Sequence, residues 1–134
     1  MPSTPRILTT QLRVRSYEMD SFGHANNAVY LQYLEAARCD YMRQVGIDFN
    51  NFHQWSAFPA VVEAHLHYHQ SVVTDDLLEI RGWFTHWKSA SFNLEYEILK
   101  SDQSKVLTAN LKFAFVNMSG KIVRIPAAFR DPFL

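Results

Sequence analysis

Ala28-Val29-Tyr30-Leu31-Gln32-Tyr33-Leu34-Glu35-Ala36-Ala37-Arg38-Cys39-Asp40-Tyr41-Met42-Arg43-Gln44-Val45-Gly46 contains neither glycine nor proline before its last residue. Tyr30, Leu34, Ala37, Tyr41 and Val45 recur at three- and four-residue spacings, as one face of an α-helix requires. Leu31 and Met42 widen the apolar arc, while Gln32, Glu35, Asp40, Arg43 and Gln44 gather opposite. Asn27 stands at a good N-cap position and Gly46 at a good stop. The spacing predicts a long, largely buried helix over 28–46.

Working outward, the segments on both sides read as strand. Towards the N-terminus, residues 7–16 are rich in β-formers, with Leu12 and Val14 alternating against Arg13 and Arg15. An irregular stretch from Met19 to Asn27 joins this strand to the helix. Towards the C-terminus a loop with Asn50, Asn51 and Pro59 comes first. Period-two runs then follow at Val62/Ala64/Leu66/Tyr68, Leu78/Ile80/Gly82/Phe84, Phe92/Leu94/Tyr96/Ile98 and Leu107/Ala109/Leu111/Phe113/Phe115, with a short last strand over 122–125. One strand, one long helix and then hairpin-linked strands is an α+β order: an antiparallel five- to six-stranded sheet wrapped around one long central helix. With 134 residues, 48% of them hydrophobic, the chain has the size and core of a single domain spanning 1–134.

A lone helix covers one side of such a sheet, so the bare face and sheet edges predict a homodimer or homotetramer. Trp83 and Trp87 share the polar-phase side with Arg81 and are expected at a subunit contact. Thirteen basic and thirteen acidic side chains cancel, so bulk charge favours neither nucleic acid nor an acidic membrane surface. No apolar run approaches the roughly 20 residues that cross a bilayer. The first six residues lack a signal-peptide core, and the single cysteine allows no internal disulfide. The expected location is the cytoplasm.

Chemistry concentrates at Tyr17-Glu18-Met19-Asp20-Ser21-Phe22-Gly23-His24-Ala25-Asn26-Asn27-Ala28-Val29-Tyr30-Leu31-Gln32-Tyr33-Leu34-Glu35-Ala36-Ala37-Arg38. An Asp after the first strand, a Gly and helix-opening segment, and a Tyr-x-x-Tyr-x-Glu-x-Ala-Arg run resemble the signature of the 4-hydroxybenzoyl-CoA thioesterase family. The resemblance implies the hotdog fold and acyl-thioester hydrolysis, with Asp20 as the carboxylate that activates water or attacks to form an anhydride. It implies no metal and no cofactor; coenzyme A enters only as part of the substrate. Physically, the reaction needs oxyanion donors, and the free amides of a helix N-terminus supply them, which nominates the backbone N–H groups of Asn27 and Ala28.

His24 is a candidate to polarise the carbonyl, orient Asp20 or carry a proton, and Asn27 a candidate side chain beside it. Tyr30, Glu63, Ser91, Lys88 and Arg124 are candidates for substrate binding, with Lys121 and Arg130 as further phosphate contacts. Each has a plainer reading: Asp20 as a loop carboxylate accepting backbone hydrogen bonds, His24 and Asn26 as junction residues, Glu63 and the cations as solvated charge. Arg38 falls among apolar neighbours on the helical wheel and needs an ion pair or carbonyl partner. Cys39, mid-helix, reads as a small hydrophobe rather than a nucleophile. His65, His67 and His69 share one strand face, where only neighbouring pairs could meet one ion.

The leading expectation is therefore an acyl-CoA thioesterase. An acyl carrier protein thioesterase is a close variant, which the Gly-His-Ala-Asn-Asn run resembles. A non-catalytic acyl-CoA-binding protein is the alternative from another class. The hydratase branch of the fold uses Asp-x-Asn-x-x-x-His, a spacing that Asp20, His24 and Asn26 do not have.

Overall fold

The computed structural model describes residues 4–134. Its elements are β1 (Leu8–Arg13), α1 (Asn27–Gln44), α2 (Phe49–Trp55), β2 (Phe58–Tyr68), β3 (Leu77–Thr85), β4 (Ser91–Lys100), β5 (Lys105–Val116) and α3 (Ala127–Arg130). The strands form one antiparallel sheet in the order β1-β3-β4-β5-β2. This is the expected α+β order, with five strands. The expected sixth, over 122–125, is only an isolated bridge between Val116 and Ile122. Helix α2 replaces the segment read as loop, because Asp48 closes a capping box with Asn51, and α3 follows the last expected strand where Pro126 precedes a compact apolar turn.

The period-two reading holds best in the centre of the sheet, where β3 and β4 bury alternate residues. Their buried set packs under α1. Tyr41 is the pivot. Its hydroxyl donates to the Ile80 carbonyl at 2.7 Å, and its ring stacks on Tyr96 at 6.5 Å between centroids. Gly82 makes this approach possible: a Cβ there would lie 2.5 Å from the Tyr41 ring. Further along α1, Arg38 lies over the Phe113 ring at 4.8 Å, and Gln44 donates to the Thr9 carbonyl at 2.9 Å. The helix thus crosses one face of the sheet from β1 to β5.

α1 is less covered than its wheel predicts. Tyr30, Tyr33, Leu34, Ala37, Tyr41 and Met42 are buried, but Leu31 is 44% exposed. Edge strand β2 is also bare: Val61 to His65 are exposed on both faces. At the Phe58 end of the sheet, aromatic rings close the core. Phe84 stacks on Phe133 at 4.2 Å, and Phe129 touches Phe52, Phe92 and Phe115. Trp87 packs against this cluster, stacked on Phe84 at 5.5 Å, and is half-buried, as is Trp83 on the outer face. No helix among the described residues is long and apolar enough to cross a membrane.

Two outcomes follow from this packing. Gly82→Ala must displace the Tyr41 ring and is expected to cost about 1–3 kcal/mol, read as a lowered urea midpoint with unchanged slope. Burial also holds the Tyr33, Tyr41 and Tyr96 hydroxyls above the ordinary tyrosine pKa. The unfolded chain releases those protons first, from about pH 10. The stability contribution is therefore whole below that pH and declines as pH rises above it, by up to about 1.4 kcal/mol per unit per tyrosine. Denaturation at a series of pH values from 8 to 11 checks this; flat stability across the range would contradict it.

Candidate active site

The loop between β1 and α1 is built from the backbone outward. A bridge between Met19 and Ala25 closes its base, and Gly23, at φ 77°, allows the tight return. Within it the Asp20 amide donates to the His24 carbonyl at 2.8 Å. The Asp20 carboxylate accepts through Oδ1 from the amides of Phe22 at 2.9 Å and His24 at 3.3 Å. Asp20 is thus an Asx-type turn residue, as its plainer reading holds, and yet half-buried. Its second oxygen, Oδ2, has no hydrogen-bond partner among the described residues. One oxygen anchored and the other free is a geometry that also suits a reacting carboxylate.

Helix α1 begins one residue earlier than expected, with Asn26 rather than Asn27 as its cap. The Asn26 side chain accepts from the Ala28 amide at 2.9 Å, and the Val29 amide donates to the Asn26 carbonyl at 2.9 Å. The Ala28 N–H expected at the oxyanion is therefore engaged. The Asn27 N–H has no acceptor among the described residues and is the free amide of that pair. The Asn27 side chain is exposed, and the Asn27 backbone carbonyl accepts the Tyr68 hydroxyl at 3.3 Å.

Tyr68 was missed as a site residue because nothing in its strand marks it. Only the sheet brings the end of β2 to the start of α1. Between them lies a pocket of about 260 Å³ lined by Ala25, Asn27, Tyr30, Tyr68, His69 and Gln70. Tyr30 is 3% exposed and packs edge-on against Tyr33 and Tyr68, so it serves as the pocket's buried wall. Burial raises its pKa, a backbone hydrogen bond at Val72 lowers it, and the Tyr68 and Asp20 charges raise it further. His24 is exposed, and its ring makes no hydrogen bond among the described residues.

The remaining candidates do not converge within one chain. Glu63 is exposed and opposite Lys112, on the outer face of the sheet. Lys88, Ser91 and Arg124 lie at the far end. The Lys88 amide donates to Ser91 across the β3–β4 turn, and Ile125 to Ser89, which brings Arg124 there. Ser91 pairs with Ala114, whereas Tyr68 and Ile98 both pair with Leu107 at the site end. At about 3.4 Å per residue, the run from Ser91 to Ile98 separates the two ends by roughly 24 Å. Register decides this distance, and sequence proximity carries no trace of it.

Arg38 finds the ion pair it needs in Glu35 of the same helix, and Phe113 below it. Burial pushes the Cys39 thiol up, away from a thiolate. The His67 and His69 rings lie 6.1 Å apart, and His69 Nε2 is 3.2 Å from the Thr108 hydroxyl. Among the described residues no three His, Cys, Asp or Glu side chains are grouped to hold a metal ion.

A family model described as the thioesterase-like superfamily matches residues 14–133. The chain belongs to that superfamily. It is a hotdog-fold thioester hydrolase. It is 38% identical over 105 residues to the long-chain acyl-CoA thioesterase FadM of Escherichia coli, covering 75% of each chain. It is 26% identical over 125 residues to the chloroplastic acyl-acyl carrier protein thioesterase ATL3 of Arabidopsis thaliana. That match covers 92% of this chain, which spans 66% of the plant protein's length. Among solved structures, a hypothetical protein from Aquifex aeolicus superposes with a TM-score of 0.88 at 26% identity, covering 95% of this chain and 99% of the other.

Removal of the helix cap tests the local geometry of the thioesterase. Asn26→Ala is expected to cost about 1 kcal/mol and to speed amide exchange at Ala28, measured by denaturation and hydrogen exchange. Unaltered Ala28 exchange would show that the cap is not what holds that amide.

Proposed function

We propose that this chain hydrolyses acyl-CoA thioesters to a free acid and coenzyme A, with Asp20 as the reacting carboxylate. The observation that carries the reading is the half-anchored carboxylate: two amides hold Oδ1 while Oδ2 is left over, on the loop that leads directly into α1. In the reaction, Oδ2 takes a proton from water, and the water oxygen bonds to the thioester carbonyl carbon. The Asn27 amide donates to the resulting oxyanion, where such a donor is worth about 3 kcal/mol. Collapse breaks the C–S bond, and the departing thiolate takes the proton from Asp20. Water is the second substrate, and no cofactor is needed. The lone, unpaired Cys39 suits a reducing compartment, and we place the reaction in the cytoplasm.

The working unit in this reading is a homodimer joined along β2. That strand, Phe58–Tyr68, is an edge with Val61 48% and Val62 53% exposed, a long bare template for pairing. Two-fold antiparallel pairing of β2 with its copy sets the Phe58 end of one protomer beside the Tyr68 end of the other. Lys88, Ser91 and Arg124 of one copy then reach the Asp20 end of its neighbour and bind the coenzyme A phosphates there. The likeness to the plant acyl carrier protein thioesterase favours acyl carrier protein as a second thiol carrier.

A panel of short-, medium- and long-chain acyl-CoA and acyl carrier protein substrates, with release of free thiol as the readout, decides among these. Asp20→Asn is expected to lower kcat by about 10²–10⁴-fold at unchanged fold; turnover that persists in it removes the assignment. Binding without turnover in the wild type would point instead to the non-catalytic protein. A single turnover in ¹⁸O-water separates the routes, since label enters the acid by direct attack and Asp20 by way of an anhydride. Val62→Lys is expected to yield monomers of low activity by sedimentation and assay. Mixing Asp20→Asn with Arg124→Ala protomers is expected to restore sites that neither variant has alone; no recovery on mixing would place both residues in one protomer's site.

A further inference from the structure

Glu18 is the one buried charged side chain among the described residues, 9% exposed. Removing a carboxylate from water costs free energy unless donors surround it, and a well-packed apolar side chain would stabilise the same volume at least as well. What a carboxylate adds is direction. Glu18 Oε1 accepts the Tyr33 hydroxyl at 2.9 Å and the Arg15 amide at 2.7 Å, and Oε2 pairs with the Arg15 guanidinium at 3.1 Å. Its own carbonyl accepts the Asn26 amide at 3.2 Å. Three segments therefore meet at this residue: the end of β1 through Arg15, the cap of α1 through Asn26, and the body of α1 through Tyr33.

Asp20 follows two residues later. Its internal bonds to Phe22, Gly23 and His24 make the loop a small rigid body, but none of them fixes that body relative to α1. The bonds that do so are those of Glu18, together with the Met19–Ala25 bridge and the Ala25 amide on Val72 at 3.1 Å. We propose that Glu18 is a positioning residue for the reaction, its buried carboxylate holding the Asp20 loop in register with the N-terminus of α1 through Tyr33. The proposal rests on Asp20 being the reacting carboxylate. In chemical terms, Glu18 never touches substrate; it sets the distance between Asp20 Oδ2 and the Asn27 amide, which must reach opposite sides of one carbonyl. A displacement of about 1 Å at such a pair is enough to cost on the order of 10²-fold in rate.

The test combines turnover with amide exchange on the full chain. Glu18→Ala is expected to lower kcat on the order of 10²-fold with KM changed less than about threefold, and Tyr33→Phe to lower it by a smaller factor. Glu18→Gln keeps an acceptor oxygen for Tyr33 and Arg15 and is expected to recover most of the loss. Against Asp20→Asn, Glu18→Ala is expected to change nothing further, because its effect passes through Asp20. Exchange at Ala25 and Asn26, whose amides tie the loop to Val72 and Glu18, is expected to quicken in Glu18→Ala while core amides such as Leu94 keep their protection. Should Glu18→Ala not fold, Tyr33→Phe, which deletes one hydroxyl, carries the same comparison. An equal loss in the Asp20→Asn background, or unchanged kcat, overturns the proposal. Unchanged exchange at Ala25 and Asn26 overturns the anchor alone, whereas wild-type turnover by Asp20→Asn overturns the Asp20 reading itself.

Discussion

Helix α1 lies close enough to β3 for the Tyr41 hydroxyl to reach the Ile80 carbonyl, and only a residue without a side chain at Gly82 leaves room for the Tyr41 ring. That contact sets the rotation and depth of the helix on the sheet. Once Tyr41 is seated, Arg38 falls over Phe113 on one side and Gln44 over the β1 backbone on the other. The same rotation aims Tyr33 back at Glu18 and sends the first turn of α1 to the end of β2. The candidate site hangs from the near end of a helix whose position is decided in its middle.

The two ends of the sheet are built differently for this reason. At the Phe58 end, α2, α3 and the final residues pack aromatic rings edge and face against one another, an apolar closure. At the Tyr68 end the groups are polar instead: the Asn26 cap, the Asn27 amide and the Tyr68 hydroxyl, with the Asp20 loop leading in. This end is held by directional hydrogen bonds and one buried carboxylate rather than by tight apolar packing.

The bare edge at β2 joins these two ends in the proposed assembly. Its exposed valines and unpaired backbone are a liability in a monomer; in the proposal they become the seam that brings Lys88 and Arg124 of one copy to Asp20 of the other. One chain then supplies reactive groups at one end and binding groups at the other.

Much of this was legible without coordinates. Helical spacing from Tyr30 to Val45 and period-two alternation in β3, β4 and β5 determined the element order and the antiparallel sheet, because both are local consequences of which residues must be buried together. The Asp20 to Arg38 motif marked the loop and the helix start. Local rules ran out where partners are distant in sequence. The cap fell on Asn26 and took the Ala28 amide, Trp87 stacked on Phe84, and Leu31 stayed exposed. Lys88, Ser91 and Arg124 went to the end of the sheet away from Asp20. Register, helix rotation and the pairing of Glu18 with Tyr33 depend on contacts between residues far apart along the chain, and those distances exist only once the sheet has formed and α1 has been laid across it.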